Sequence, residues 1–152
     1  MLNVFPRLIL PSKNKISSPY SMLQIIQNIL VYDINFYFTH IFLHKYLYEY
    51  HKLHHTHNTL NYRIAYTAHW VENILQTYPL IILHLLGFTH IIHTFIFVSI
   101  RGFINHEPKI KLNINKHHIL HHKHSNCNYG EYYIDYIMNT LYKPMNYIED
   151  EL

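Results

Sequence analysis

The chain has 152 residues, enough for one domain. Histidine supplies 16 of them, more than the 12 Lys and Arg together, and charged residues make up only 14%, against about 25% in an average soluble domain. An aromatic content of 16% excludes a disordered chain. The single Cys127 excludes a disulfide framework and a cysteine-based zinc module. A net charge of +3 with no long basic block gives no basis for nucleic-acid binding. The 22 Ile, 15 Tyr and 14 Asn against 2 Ala and 3 Gly match what AT-rich codons would give, so Tyr and Asn are not read as chemistry from their number alone.

Residues 1–19 read as an N-terminal loop segment, with too short an apolar run for a signal peptide. Residues 20–57 contain neither Pro nor Gly and read as one long helix. Its first half is apolar over about 20 residues, long enough to enter or cross a bilayer. Its second half, KYLYEYHKLHHTHN, is polar and cationic. The competing reading is a buried core helix of a soluble bundle.

Residues 58–73 form a polar connection. Residues 74–100 carry no Asp, Glu, Lys or Arg and are punctuated by Pro79 and Gly87. As a helix they would run about 40 Å, more than one hydrocarbon core of about 30 Å but less than two crossings. The expectation is a short apolar hairpin bending near Gly87, with one tilted span as the alternative. Residues 131–143 read as a closing amphipathic helix and 144–152 as a tail, leaving 20–143 as the folded domain.

The histidines fall in blocks: His40/His44, His51/His54/His55, and His117/His118/His121/His122. At about 100° per residue, a continuous helix places His40, His44, His51, His54 and His55 within one arc of about 100°. Asp33 lies on the same stripe. Packed imidazoles are tolerable if they stay neutral, and neutral imidazole is the commonest metal ligand, suited to Fe, Zn, Cu and Ni. Eight such donors exceed one tetrahedral zinc and suit two metals with open positions. His84, His90 and His93, set singly on apolar faces, read as packed or hydrogen-bonded residues, and His57 and His124 as solvated flanks. A tract that merely adsorbs metal does not account for two HxxHH copies and one HxxxH separated by apolar segments.

These residues resemble the signature of the fatty acid hydroxylase/sterol desaturase superfamily, the membrane non-haem di-iron oxygenases. HxxxH stands as His40–His44, and the two HxxHH motifs as His51–His54–His55 and His118–His121–His122. DINFYFTH, AHWVE (Ala68–Glu72), INHEP with His106, NCNYG and IDYIMNTLY also resemble family elements, over roughly residues 19–143. Ile41 stands where the family commonly has Arg, and Glu107-Pro108-Lys109 follow His106 in place of its Ser-Gly-Tyr. The family usually has one or two more membrane helices before its first His helix.

The resemblance implies an all-α, membrane-associated helical bundle with a His-lined di-metal site. It implies two iron ions per chain and dioxygen as cosubstrate, acting on a C–H bond of a sterol or fatty acyl lipid by hydroxylation or desaturation. Reductant would come from NAD(P)H through a separate cytochrome b5-like electron-donor protein. The expected location is the endoplasmic reticulum or an equivalent host membrane, with the His clusters on the cytosolic side and the 74–100 hairpin between them. The expected ligands are His40, His44, His51, His54, His55, His118, His121 and His122. His106 and His117, and more weakly His69 and Glu72, are candidates for further ligands or for groups holding a ligand ring. Asp33 is expected to orient a ligand imidazole by accepting its other N–H, as carboxylates do around metal sites. Two other classes stay open: a truncated, catalytically inactive family remnant, and a His-rich metal-binding membrane protein.

Overall fold

The computed structural model describes residues 22–56 and 62–143, and the expected N-terminal loop, His57 and the C-terminal tail lie outside them. Among the described residues the chain is all-helical: α1 (Met22–Tyr46), α2 (Tyr48–His55), a 3₁₀ turn (Tyr62–Tyr66), α3 (Trp70–Leu85), α4 (Ile91–His106), α5 (Asn113–Lys123) and α6 (Tyr132–Ile137). α1 packs along α3, α4 packs on the 3₁₀ turn and α5, and α2 folds back beside α1.

The long helix expected over 20–57 is broken at Leu47, whose backbone (φ −131°, ψ 35°) leaves the helical region. The reason is geometric. In a straight helix His40 and His55 would stand about 22 Å apart at about 1.5 Å per residue, and no metal could join them. The break lets α2 turn its rings onto those of α1.

The hairpin between α3 and α4 forms where Gly87 predicts it. Gly87 has φ 80°, its N–H reaches His84 O at 3.0 Å, and Phe88 N–H reaches Leu83 O at 2.8 Å. This is the Schellman pattern, in which glycine takes the left-handed position without a Cβ penalty. His84 Nδ1 donates to Thr89 O and the His90 ring accepts Ile92 N–H, which gives both histidines local structural roles. Pro79 lies inside α3. It has no N–H for the Leu75 carbonyl one turn back, and Asn35 Nδ2 of α1 donates there at 2.9 Å instead.

No described helix is long and apolar enough to cross a membrane, which corrects the expected spans. α1 carries Asn28, Asp33 and Asn35 within its apolar stretch, and α3 and α4 have 16 residues each, about 24 Å at the helical rise. The closing helix is shorter than expected, six residues at Tyr132–Ile137.

Polarity is distributed the opposite way from a soluble bundle. Among the described residues six hydrophobic side chains are buried, including Tyr37, Leu43 and Leu80, against sixteen polar ones, many of them histidines. Large apolar side chains face outward instead. On α1, Ile26, Leu30, Ile34, Phe38 and Phe42 form an exposed stripe at every fourth residue, and the hairpin adds Leu85 (77% exposed) and Phe95 (73%).

Candidate metal centre

Nine imidazoles collect into two groups at one end of the bundle. The first holds His40, His44, His51, His55 and His121; the second holds His54, His106, His118 and His122. Within each group one ring nitrogen per residue lies within 4.8 Å of all the others. All eight histidines expected as ligands are therefore brought together, and His106 joins them.

The two HxxHH motifs divide in reciprocal fashion. In α2 the i and i+4 rings, His51 and His55, face the first group, while His54 at i+3 faces the second. In α5 the i and i+4 rings, His118 and His122, face the second, and His121 at i+3 faces the first. A helix puts i and i+4 on one face and turns i+3 to the other side of that stripe. The spacing thus lets one helix serve two centres.

Within the first group, Nε2–Nε2 separations are 3.0 Å for His40–His51, 2.9 Å for His51–His55, 3.1 Å for His44–His121 and 3.2 Å for His55–His121. In the second, His106 Nε2 lies 3.0 Å from both His54 Nε2 and His118 Nε2. Several outer nitrogens fix what these inner atoms are. His40 Nδ1 lies on the Tyr129 carbonyl, His121 Nδ1 on the Cys127 carbonyl (2.7 Å) and His106 Nδ1 on the Gly102 carbonyl (2.8 Å). A carbonyl only accepts, so each Nδ1 carries the proton and each Nε2 of the neutral ring presents a lone pair. His122 Nε2 is buried without any partner.

A cation between these nitrogens would let every one of them present a lone pair at about 3 Å without mutual repulsion. With metal–nitrogen bonds of about 2.1 Å, ligands at right angles stand about 3.0 Å apart and tetrahedral ones about 3.4 Å. The observed edges fit the right-angle arrangement of a five- or six-coordinate metal. The donor set is all imidazole, which iron accepts.

Burial keeps these rings neutral. It lowers the His55 and His106 pKa to about 4 and those of His51 and His122 to about 2, with neighbouring imidazoles adding to the shift for His51, His55 and His122. His54, His118 and His121 are pushed well below 6.5, first by burial and then by nearby rings. Metal uptake at neutral pH therefore has no protons to displace from these nitrogens.

The supporting groups differ from those expected. Asp33 holds no imidazole: it pairs with Arg101 at 3.0 Å and accepts from the Tyr133 hydroxyl at 3.0 Å. Arg101 also pairs with Glu131, tying α1 and α4 to the segment that precedes α6. Asp33 lies seven residues before His40, two turns down α1, where Arg101 of α4 is the nearer partner. The carboxylate placed against a ligand ring is Glu72, whose Oε2 lies 3.0 Å from His51 Nδ1, off the line a ring N–H needs for a good hydrogen bond. Burial pushes the Glu72 carboxyl up to about 8, and Gln76 Nε2 donates to its other oxygen at 3.0 Å.

His117 turns away from both groups and bonds Asp135 Oδ2 at 2.9 Å. His69 caps α3 by accepting Val71 N–H, so neither of these two joins either group. His124 is exposed and stacks on Tyr142. Sequence reasoning missed Asn115, whose buried Nδ2 donates to Ile104 O (2.8 Å) and Glu107 O (2.9 Å), closing α4 against α5 and seating His106 beside His118. It also missed Asp135, which lies in the family-like stretch IDYIMNTLY but was not singled out there.

A cavity of about 400 Å³ opens between α1, α3 and α4. Phe36, Ile81, Phe95 and Val98 give it an apolar wall, and His40, His54 and His106 line it as well, so both groups border it. A volume of this size lies in the range of small-ligand sites.

No curated protein and no solved structure matches the chain. The fatty acid hydroxylase family model matches residues 25–140, the stretch that contains every imidazole of both groups. The match covers well over half of the chain, which therefore belongs to the fatty acid hydroxylase family, within the fatty acid hydroxylase/sterol desaturase superfamily.

Proposed function

We propose that residues 20–143 form a di-iron, dioxygen-dependent hydroxylase or desaturase acting on a C–H bond of a sterol or fatty acyl lipid. The observation that carries this reading is the pair of convergent imidazole groups bordering one apolar cavity. His40, His44, His51, His55 and His121 would hold one iron, and His54, His106, His118 and His122 the other. Such a pair supplies dioxygen activation strong enough to oxidise an unactivated C–H bond. The chain's own residues do the rest. Phe36, Ile81, Phe95 and Val98 exclude water from the cavity and bind an alkyl or ring skeleton against the side bordered by His40, His54 and His106. The carbonyls of Tyr129, Cys127 and Gly102 keep His40, His121 and His106 in the tautomer that offers Nε2 inward.

The exposed apolar stripes of α1 and the hairpin support membrane association, since contiguous apolar surface of this kind marks contact with lipid or protein. The membrane proposed is the endoplasmic reticulum or an equivalent host membrane, with the imidazole groups on its cytosolic side. Electrons would come from NAD(P)H through a cytochrome b5-like carrier. The exposed Lys109, Lys111, Lys116 and Lys123, on and before α5, present cationic charge to an acidic partner beside the second group.

The test is anaerobic loading of detergent-purified chain with ferrous iron, followed by reductant, dioxygen and lipid extract. Two irons per chain and an oxidised lipid product, absent with His54→Ala, are expected. Two tightly held irons without lipid oxidation would point to an inactive relative, and variable zinc or nickel uptake to a metal-binding protein.

A further inference from the structure

We propose that Asp135 acts on the five-histidine group through the Tyr129–Gly130 peptide, as a positioning residue for His40. The inference rests on the two-metal reading for its assay. Asp135 is fully buried in the first turn of α6. Its Oδ1 accepts from Tyr129 N–H at 2.9 Å and the Thr140 hydroxyl at 2.6 Å; its Oδ2 accepts from Gly130 N–H at 2.8 Å and His117 Nε2 at 2.9 Å. Four donors match about what one ionised carboxylate can accept.

The Gly130 N–H and the Tyr129 carbonyl belong to one peptide plane. No described peptide is cis, so the two groups point in opposite directions across a rigid unit. One edge is held by the Asp135 carboxylate; the other receives the Nδ1–H of His40, whose Nε2 faces the first group. A negative charge on the N–H edge polarises the peptide and strengthens its carbonyl as an acceptor. A stronger acceptor on Nδ1–H fixes the ring and makes Nε2 a better donor to metal.

The surroundings leave that peptide one position. A Cβ on Gly130 would stand 3.0 Å from both Cβ and Cδ2 of Tyr37, so only glycine lets the plane lie against α1. Tyr37 OH in turn lies 3.2 Å from Thr140 Oγ1, the hydroxyl that bonds Asp135. Asn128, in the left-handed region at φ 54°, donates from Nδ2 to His117 O at 3.1 Å, and the neighbouring Cys127 carbonyl receives His121 Nδ1–H. His117 is thus a strut of the segment that anchors two rings of the first group. The second group is independent of it, because His106 Nδ1 bonds the Gly102 carbonyl of its own helix.

The test is anaerobic titration of the metal-free, full-length chain in detergent micelles with ⁵⁷Fe²⁺, each site followed by its own Mössbauer doublet. Asp135→Asn keeps shape and removes charge. Its amide NH₂ must face either Tyr129 N–H or Gly130 N–H, since only Thr140 and His117 can reverse their roles. Gly130→Ala keeps the carboxylate and displaces the peptide. Each is expected to weaken one iron site by about 10- to 100-fold, the usual cost of losing an outer partner, with the other site unchanged. Thr140→Val, which removes one donor to Oδ1 and keeps the Gly130 bond, is expected to weaken the same site less than Asp135→Asn does, with the other site unchanged. Helical Asp135→Asn or Gly130→Ala protein that binds both irons with wild-type affinity, or weakens both alike, overturns the inference. Wild-type protein that binds one iron overturns the two-metal reading instead, and the role of Asp135 then stands or falls on whether Asp135→Asn weakens that one site.

Discussion

Acid should unfold the metal-free chain within about one pH unit of the ordinary imidazole pKa. His51, His55, His106 and His122 have folded pKa values of about 2 to 4 against 6.5 in the open chain. The folded values are the lower ones, so below pH 6.5 the unfolded state binds more protons and stability falls as pH falls. It is fully present above about pH 6.5 and is lost progressively down towards the folded values. At pH 5.5 each of the four rings costs about 1 to 2 kcal/mol, on the order of 5 kcal/mol together. That is comparable with the whole stability of an ordinary domain, about 5–15 kcal/mol, before His54, His118 and His121 are counted. The assay is far-UV circular dichroism of chelator-stripped protein in detergent between pH 8 and 4, repeated with saturating ferrous iron. A cooperative loss of helix near pH 5.5 is expected, shifted to lower pH by metal, which binds the converged rings of the folded state more tightly than the separated rings of the unfolded chain. Full helicity of the stripped protein at pH 4 would refute the reasoning, as would ring NMR signals titrating near 6.5 in folded protein.

Three further outcomes follow from the geometry. His54→Ala is expected to empty the four-histidine site and spare the other, while His121→Ala does the reverse, read by iron stoichiometry and Mössbauer spectra; loss of both metals in either variant would contradict the reciprocal division of the motifs. Glu72→Gln is expected to weaken iron at the first site by about 10-fold or more, because the amide cannot ionise beside His51 Nδ1 as the carboxyl can once a metal adds positive charge to the site; unchanged affinity in the same titration would remove Glu72 from the site. Replacing Ile34, Phe38 and Leu85 together by Ser is expected to abolish flotation with neutral phosphatidylcholine vesicles while leaving iron content unchanged, since all three are exposed and none belongs to either group; flotation equal to wild type would argue that these faces meet protein.

Part of this was legible in the sequence because it is periodic. HxxxH and HxxHH put rings on defined helix faces, and the charge-free run broken by Gly87 marks a hairpin whose turn needs a positive φ. The break at Leu47 was not legible, because neither Pro nor Gly announces it and only the need to bring α1 and α2 rings together imposes it. The partners of His40, His121 and His106 are backbone carbonyls, which leave no residue-type signal. Of the two carboxylates expected beside the rings, Glu72 stands there and Asp33 does not, for a related reason. Sequence spacing places Asp33 on the histidine stripe, but Arg101, 68 residues away in sequence, claims it, and Glu72 on α3 reaches His51 across a helix interface.

The reciprocal use of HxxHH explains why the motif occurs twice. A single helix offering i, i+3 and i+4 imidazoles gives two donors to one centre and one to another, which leaves the second centre short. A second copy facing the first from the opposite side reverses the allotment. α2 gives two rings to the first group and one to the second, and α5 gives one and two. The remaining donors, His40 and His44 from α1 and His106 from α4, then raise the groups to five and four. Because each of α2 and α5 reaches both centres, neither helix can shift without disturbing both, and the spacing between the centres is set by the width of a helix face. The two groups are therefore held as one unit by the backbone of two short helices, and rigid placement of this kind is what preorganises a set of ligands for metal.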